Sequence, residues 1–295
     1  MIKPKIDRNS KILSISHADG DGVACQIILG QVFKNIKYLN TAFYKVDKIL
    51  ESVMFDDYDY VFLTDLHPEK KENMTLSPKI IMIDHHESAK HLHKPEEFHY
   101  VLTDHCAAYH VKRFIESLYG IKLTFLNNFI YLTNDYDMYT LKNNKSKLMY
   151  DLCCNYYKPI KFREKFFDGR TRFNSEEIAW LRKRREQYND EWNNLNVYDM
   201  ESIKGCIIEQ SDFMNEIANN LILKENYRIV FVINPNTRRI SIRHNIENFD
   251  AGNYLKEKGW GGGHKVAAGF FCDEQDDIEK RINIIEKHLL KNFSL

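Results

Sequence analysis

Three short apolar runs in this chain each stop at acidic or imidazole side chains. Lys11 to Ser16 ends at His17-Ala18-Asp19-Gly20-Asp21-Gly22, Asp59 to Thr64 ends at Asp65-Leu66-His67, and Lys79 to Ile83 ends at Asp84-His85-His86. Short apolar runs alternating with longer mixed segments are the pattern of βαβ units, and these build a parallel sheet with helices on its faces. Ligands of such sheets bind just beyond the carboxyl ends of the strands, so the three polar ends are expected to converge on one site.

The alternation persists to about residue 150. It predicts a helix over Val23 to Phe33, a second strand over Tyr38 to Tyr44 and an apolar helical segment from Phe125 to Thr133, ending near Asp135-Tyr136-Asp137. Asp104 is expected to cap a helix over Cys106 to Leu118 that Gly120 ends. From Lys158 to Asp199 the chain turns charged and aromatic. Asn174 with Glu177 has capping-box spacing ahead of helical apolar positions at Ile178, Leu181, Tyr188 and Trp192, so a connecting helix is expected. The Arg182-Lys183-Arg184-Arg185 run on it is expected to be a solvated face balanced by Glu176, Glu177 and Glu186. Strands then follow over Gly205 to Glu209, Arg228 to Asn234, Arg239 to Arg243 and Ala267 to Cys272, with helices over Phe213 to Leu223 and Asp277 to Lys291. The fold class is therefore α/β, with residues 1–150 forming a parallel-sheet domain, 151–200 a helical linker and 201–295 a smaller α/β domain.

The 42 basic residues equal the 42 acidic ones, which argues against a global field for long duplex nucleic acid and suits a short anionic substrate. The six cysteines show no zinc-ribbon spacing and are expected to be free thiols in a reducing compartment. With no signal-peptide pattern and no bilayer-length apolar segment, a cytoplasmic location without membrane contact is the expectation.

Nine of the twelve histidines lie in the first 110 residues, beside the strand-end carboxylates. Hard divalent ions take carboxylate oxygens, and added imidazole shifts the preference from Mg²⁺ toward Mn²⁺ or another transition metal. Singly, each motif has an ordinary structural explanation in turns and helix caps; their joint order carries the signal. Asp104-His105 also has the look of a ligand pair, for which helix capping is the simpler account. The glycine run Gly259-Trp260-Gly261-Gly262-Gly263-His264 can be a flexible connection or an anion-binding nest.

In that joint order the chain resembles the DHH phosphoesterase superfamily, in the branch that joins a DHH domain to a C-terminal DHHA1 domain. The resemblance rests on Ser16 to Val23, Thr64-Asp65-Leu66, Ile83-Asp84-His85-His86, Tyr136-Asp137-Met138-Tyr139 and Gly261-Gly262-Gly263-His264-Lys265. The compact His-x-Asp-x-Asp-Gly form is most similar to the bacterial nano-RNase branch.

The resemblance implies a two-metal, Mn²⁺-dependent phosphodiesterase, with Mg²⁺ or Co²⁺ as other ions. It would cut short RNA or DNA, or linear dinucleotides, to 5′-mononucleotides by in-line attack. One ion would be held by His17, Asp19 and Asp65 and the other by Asp21, Asp65, His85 and Asp137, with Asp135 as the alternative to Asp137. Asp84 would orient the neighbouring imidazole, and His86 would face the phosphate or leaving oxygen. Arg243, Gly262, Gly263 and His264 would grip the substrate end across an interdomain cleft, and Trp260 is a candidate for base stacking. A homodimer is compatible with this reading. The alternatives are action on 3′-phosphoadenosine 5′-phosphate, a cyclic dinucleotide, pyrophosphate or a longer single strand, or non-catalytic nucleotide binding.

Overall fold

The apolar runs form strands because they are buried on both faces, and alternate side chains go to two different cores. A computed structural model describes residues 6–273 and 277–293, without the His264 side chain. It divides into two units, Met1–Arg182 and Lys183–Leu295.

In the first unit β1 (Lys11–His17), β2 (Asn35–Thr41), β3 (Tyr60–Thr64), β4 (Ile80–Asp84) and β5 (His99–Val101) form one parallel sheet in the order β2-β1-β3-β4-β5. Ile12, Phe62, Ile81, Ile83 and Tyr100 face a core filled from α1 (Gly20–Gly30) and the later helices. Leu13, Ile15, Val61, Leu63, Ile80, Met82 and Val101 face the opposite core, with α2 (Val46–Ser52). The chain leaves β1 toward β2 on one side and returns to β3 on the other. Order reverses there, so the crevice of this sheet opens at the carboxyl ends of β1 and β3.

Past the sheet come α3 (Ala107–Tyr119), α4 (Asn127–Asp137), α5 (Asn144–Asp151), a π-helical stretch over 152–157, α6 (Lys158–Lys165) and α7 (Ser175–Asn193). Leu152, Cys153, Phe162, Phe166 and Leu181 are part of the first unit's core. The capping box at the start of α7 is formed in both directions: Glu177 N donates to Asn174 Oδ1 at 2.8 Å, and Asn174 N donates to Glu177 Oε2 at 2.7 Å. Glu177 is fully buried and also accepts from Arg170 and Tyr157. It therefore does not belong to the solvated face expected for the arginine run. Arg184 on that run pairs with Asp212.

The second unit has a six-stranded sheet, β10-β11-β9-β8-β7-β6, made of β6 (Val197–Met200), β7 (Gly205–Glu209), β8 (Ile229–Asn234), β9 (Arg239–His244), β10 (Gly261–His264) and β11 (Ala267–Phe271). Only the β7–β8 pair is parallel. Cys206, Ile208, Val230 and Val232 pack with α8 (Met214–Lys224). The other face packs against α9 (Ala251–Glu257) and α10 (Ile278–Asn292).

Several expectations change. The first helix starts at Gly20, because the Asp19 carboxylate accepts from Gly22 N and caps it. β2 lies three residues earlier than expected, and β5, β6 and α9 lack a periodic signal long enough to show. The glycine run is a strand: Gly261–His264 pairs antiparallel with β11. Gly263 has φ 147°, and a Cβ there would sit 2.6 Å from Ala267 O, so this edge strand needs glycine for close pairing. Asp104 does not cap α3, whose N-cap is Cys106 without a side-chain bond.

Candidate metal centre

Five carboxylates and three imidazoles meet at the carboxyl edge of the parallel sheet, brought there by strand ends and two helices. His17 closes β1, and Asp19 and Asp21 follow it through a turn that Gly22 permits: a Cβ on Gly22 would lie 2.3 Å from His17 O. Asp65 follows β3 with φ 55°, a left-handed conformation that asparagine and aspartate tolerate better than most residues. Asp84 ends β4, with His85 and His86 next, and Asp137 ends α4.

His17 Nδ1 lies 2.8 Å from Asp19 Oδ2 and 3.8 Å from Asp65 Oδ2. His85 Nε2 lies 3.3 Å from Asp65 Oδ1, 3.4 Å from Asp137 Oδ2 and 3.9 Å from Asp21 Oδ2. The donor atoms thus fall into groups compact enough for one cation each, His17–Asp19–Asp65 and Asp21–His85–Asp137. Asp65 touches both: one oxygen faces His17 and the other His85.

Without a cation this arrangement is electrostatically poor. Burial and the neighbouring Asp137 charge push the Asp21 carboxyl up to about 7, and burial with Asp19 does the same to Asp137. Asp65 is driven well up by burial and by Asp21, Asp19 and Asp137. Oδ2 of Asp65 and Oδ2 of Asp137 are buried with no hydrogen-bond partner. Buried acceptors without donors are uncommon in native structures and call for an ion or water. Mixed carboxylate and imidazole donors fit Mn²⁺ or a related ion.

Asp84 works behind this group. It is fully buried; Oδ2 holds His67 Nδ1 at 2.7 Å, and Oδ1 holds His86 Nδ1 at 2.7 Å and the His85 amide at 2.8 Å. The rings it orients are therefore those of His67 and His86, while His85 receives only a backbone bond. Burial opposes charge on His86, but the Asp84 carboxylate outweighs it and lifts the imidazole to about 9. His67 Nε2 reaches Ser88 Oγ at 3.1 Å, extending the chain Ser88–His67–Asp84–His86. Sequence alone gives Ser88 no functional signal, and for His67 only its place at the end of the Asp65 run.

Asp135 and Asp137 are separated by their surroundings. Asp135 accepts from Thr140 Oγ1 at 2.6 Å, Lys142 N at 2.8 Å and Asn143 N at 3.0 Å, which folds the loop after α4 around its carboxylate. That loop carries Tyr139 and Leu141 at positive φ. Asp137 is the one beside His85 and Asp21.

Asp21 reaches further. Its two oxygens accept from Ala107 N at 2.7 Å and Ala108 N at 2.9 Å, while Asn134 Oδ1 accepts from Cys106 N. The first amides of α3 are thus satisfied from distant parts of the chain, which is why Asp104 has no cap to make.

In the second unit, Arg243, Ala267 and His264 are register partners across β9, β11 and β10. Arg243 Nη2 donates to Asn215 Oδ1 at 2.7 Å. Gly262 and Gly263 lie on the same edge strand, and the His264 side chain lies outside the described residues. Trp260 packs near Phe270 with the Arg281 guanidinium 4.9 Å from its ring centre, so that ring face is already covered.

Residues 208–291 match the DHHA1 domain family. No curated protein sequence matches the chain. Among solved structures, it is similar to the DHH domain of a member of a family of ribosomal proteins, at TM-score 0.60 and 15% identity over 96% of this chain and 87% of that one. RecJ of Thermus thermophilus in complex with Mn²⁺ aligns at TM-score 0.59 and 14% identity over 97% of this chain and 53% of RecJ, so the chain spans about half its length. PggH of Vibrio cholerae, described as a pGpG-specific phosphodiesterase, aligns at TM-score 0.54 and 15% identity over 95% and 98%. The fold is shared with all three.

Proposed function

We propose that the chain, whose residues 208–291 match the DHHA1 domain family, is a member of the DHH/DHHA1 superfamily and a divalent-metal-dependent phosphodiesterase that hydrolyses short oligonucleotides or linear dinucleotides to 5′-mononucleotides. The observation that carries this reading is the pair of donor groups joined at Asp65, with one buried oxygen each of Asp65 and Asp137 that makes no hydrogen bond. The solved RecJ–Mn²⁺ complex and the pGpG phosphodiesterase, which share the fold, agree with it.

His17, Asp19 and Asp65 would hold one Mn²⁺, and Asp21, Asp65, His85 and Asp137 the other. Bound there, two such ions supply charge that polarises a phosphodiester and lowers the pKa of water. The chain's own residues do the rest. Asp84, held between two imidazoles, keeps His86 charged with its Nδ1 proton committed, so the other ring nitrogen is the donor offered to the phosphate or leaving oxygen. Asp21 fixes the first turn of α3, and Asp135 fixes the loop that follows Asp137. Arg243 with Gly262, Gly263 and His264 would bind the end of the substrate. An end-binding grip favours short substrates over a processive nuclease, and the balanced charge of the chain agrees.

The test is an assay of purified protein with Mn²⁺ on labelled di- to pentaribonucleotides, a long single strand, 3′-phosphoadenosine 5′-phosphate, a cyclic dinucleotide and pyrophosphate. Loss of the short RNAs that requires Mn²⁺ and disappears in Asp65→Ala is expected, with a fall of roughly 10³-fold by analogy with the loss of an electrostatic stabiliser of the transition state. Binding without turnover would replace this reading with a nucleotide-binding role. Turnover of pyrophosphate alone would overturn the substrate class.

A further inference from the structure

Asp104, His105 and His110 form a further group of ligand-type side chains in the first unit, and the chemistry above leaves it unused. Capping would have explained Asp104, but the amides at the start of α3 are taken by Asp21 and Asn134. The Asp104 carboxylate instead meets His105 Nδ1 at 3.0 Å through Oδ2, and places Oδ1 3.2 Å from His110 Nε2. That nitrogen is buried and makes no hydrogen bond, in a residue only 4% exposed. A buried imidazole nitrogen left open beside a carboxylate costs free energy unless something fills the gap between them. The His105 ring is held by stacking on Tyr109, with centroids 3.9 Å apart and planes at 13°.

One donor atom from each of the three residues lies within 4.8 Å of the other two, a separation a single ion can span. We infer that Asp104, His105 and His110 bind one borderline divalent transition ion of the Zn²⁺ type, at a site sharing no ligand with the carboxylate-rich centre. Two imidazoles and one carboxylate are a donor set for Zn²⁺ and its neighbours, with a position left open, whereas Mg²⁺ and Ca²⁺ call for more oxygens. Asp104 is exposed and His105 partly so, which lets an ion enter from solvent while His110 fixes its depth. The ion would join the loop before α3 to the first turns of that helix. It would therefore brace the turn whose amides hold Asp21, coupling a peripheral site to the position of a central carboxylate.

The proposal is tested by saturating the protein with Mn²⁺, then titrating Co²⁺ by calorimetry with its visible absorption recorded and Zn²⁺ as competitor. The parent is expected to take up one equivalent of Co²⁺ more than His105→Ala does, an equivalent that Zn²⁺ displaces and millimolar Mg²⁺ does not, whatever Co²⁺ exchanges for Mn²⁺ at the carboxylate-rich centre in both proteins. Asp104→Asn, His105→Ala and His110→Gln should each lose that equivalent and its absorption band while retaining Mn²⁺ uptake; Asp65→Asn should show the opposite pattern. His105→Ala alters a partly exposed ring and keeps the test valid if His110→Gln folds poorly. Equal Co²⁺ uptake by the parent and His105→Ala would overturn the proposal, as would displacement by Mg²⁺. Neither result depends on nucleotide hydrolysis.

Discussion

Two aspartates two positions apart have opposite energetic characters. Asp135 is a buried acceptor ringed by donors, whereas Asp137 has an unpartnered oxygen among other carboxylates. Asp135→Asn would turn an amide NH₂ toward backbone N–H groups and is expected to cost about 1–3 kcal/mol. Asp137→Asn removes one of several crowded charges, so it should stabilise the cation-free protein while weakening Mn²⁺ binding roughly tenfold or more, the scale of losing support for a metal ligand. Thermal unfolding in chelator, with Mn²⁺ titration of each variant, checks both; the reverse order of stabilities would refute the assignment. In the sequence, Asn134-Asp135-Tyr136-Asp137 presents two carboxylates, and only the resemblance, through the spacing to Tyr139, favours Asp137 over Asp135. The choice is made by a loop folding back on α4, through contacts five to eight residues ahead that no spacing rule encodes.

At the scale of elements, legibility follows how local the cause is. The capping box of α7 is readable because both partners lie within one turn of each other. The cap of α3 is not, because Asp21 stands 86 residues from the amide of Ala107. The glycine strand is hidden for a different reason: edge strands without β-branched residues carry little pattern. Glu177 ties α7 to the preceding loop through Arg170 as well as to its own cap. Burial raises its carboxyl pKa, but bonds from Arg170, Tyr157 and the Asn174 amide outweigh this and hold it below the usual range. A depressed folded-state value means the stabilisation is present above the unfolded-state pKa and is lost as pH falls through the folded one. Glu177→Ala leaves Arg170 without its buried partner and is expected to cost ~3 kcal/mol at neutral pH. The gap between variant and parent should narrow in acid melts; a gap that widened below about pH 4, the ordinary carboxylate range, would contradict the ion-pair account.

For the molecule as a whole, Asp21, Asp65 and Asp137 make stability depend on pH in the opposite sense from Glu177 and from the depressed Asp19 and Asp84 beside them. Asp21 and Asp137 are held at about 7 by burial and by neighbouring carboxylates, and Asp65 is raised as well. Groups raised in the folded state keep more protons there than in the unfolded chain, so their contribution is fully present below the ordinary carboxylate range. It is lost as pH climbs through the folded values. The cation-free protein is therefore expected to be most stable in mild acid and to weaken between about pH 5 and 8. A divalent ion that binds only the folded form reverses this, because its affinity grows as the same carboxylates give up their protons. At a Mn²⁺ concentration about a hundredfold above the dissociation constant, the gain is about 2.7 kcal/mol, or roughly 5–10 °C in the melting temperature of a unit of this size. Calorimetry with chelator and with Mn²⁺, across that pH range, should give curves that diverge upward in pH. If the two curves instead ran parallel, or if the chelated protein grew steadily more stable over the same range, the crowded carboxylates would be paired by the protein itself and would have no ion to wait for.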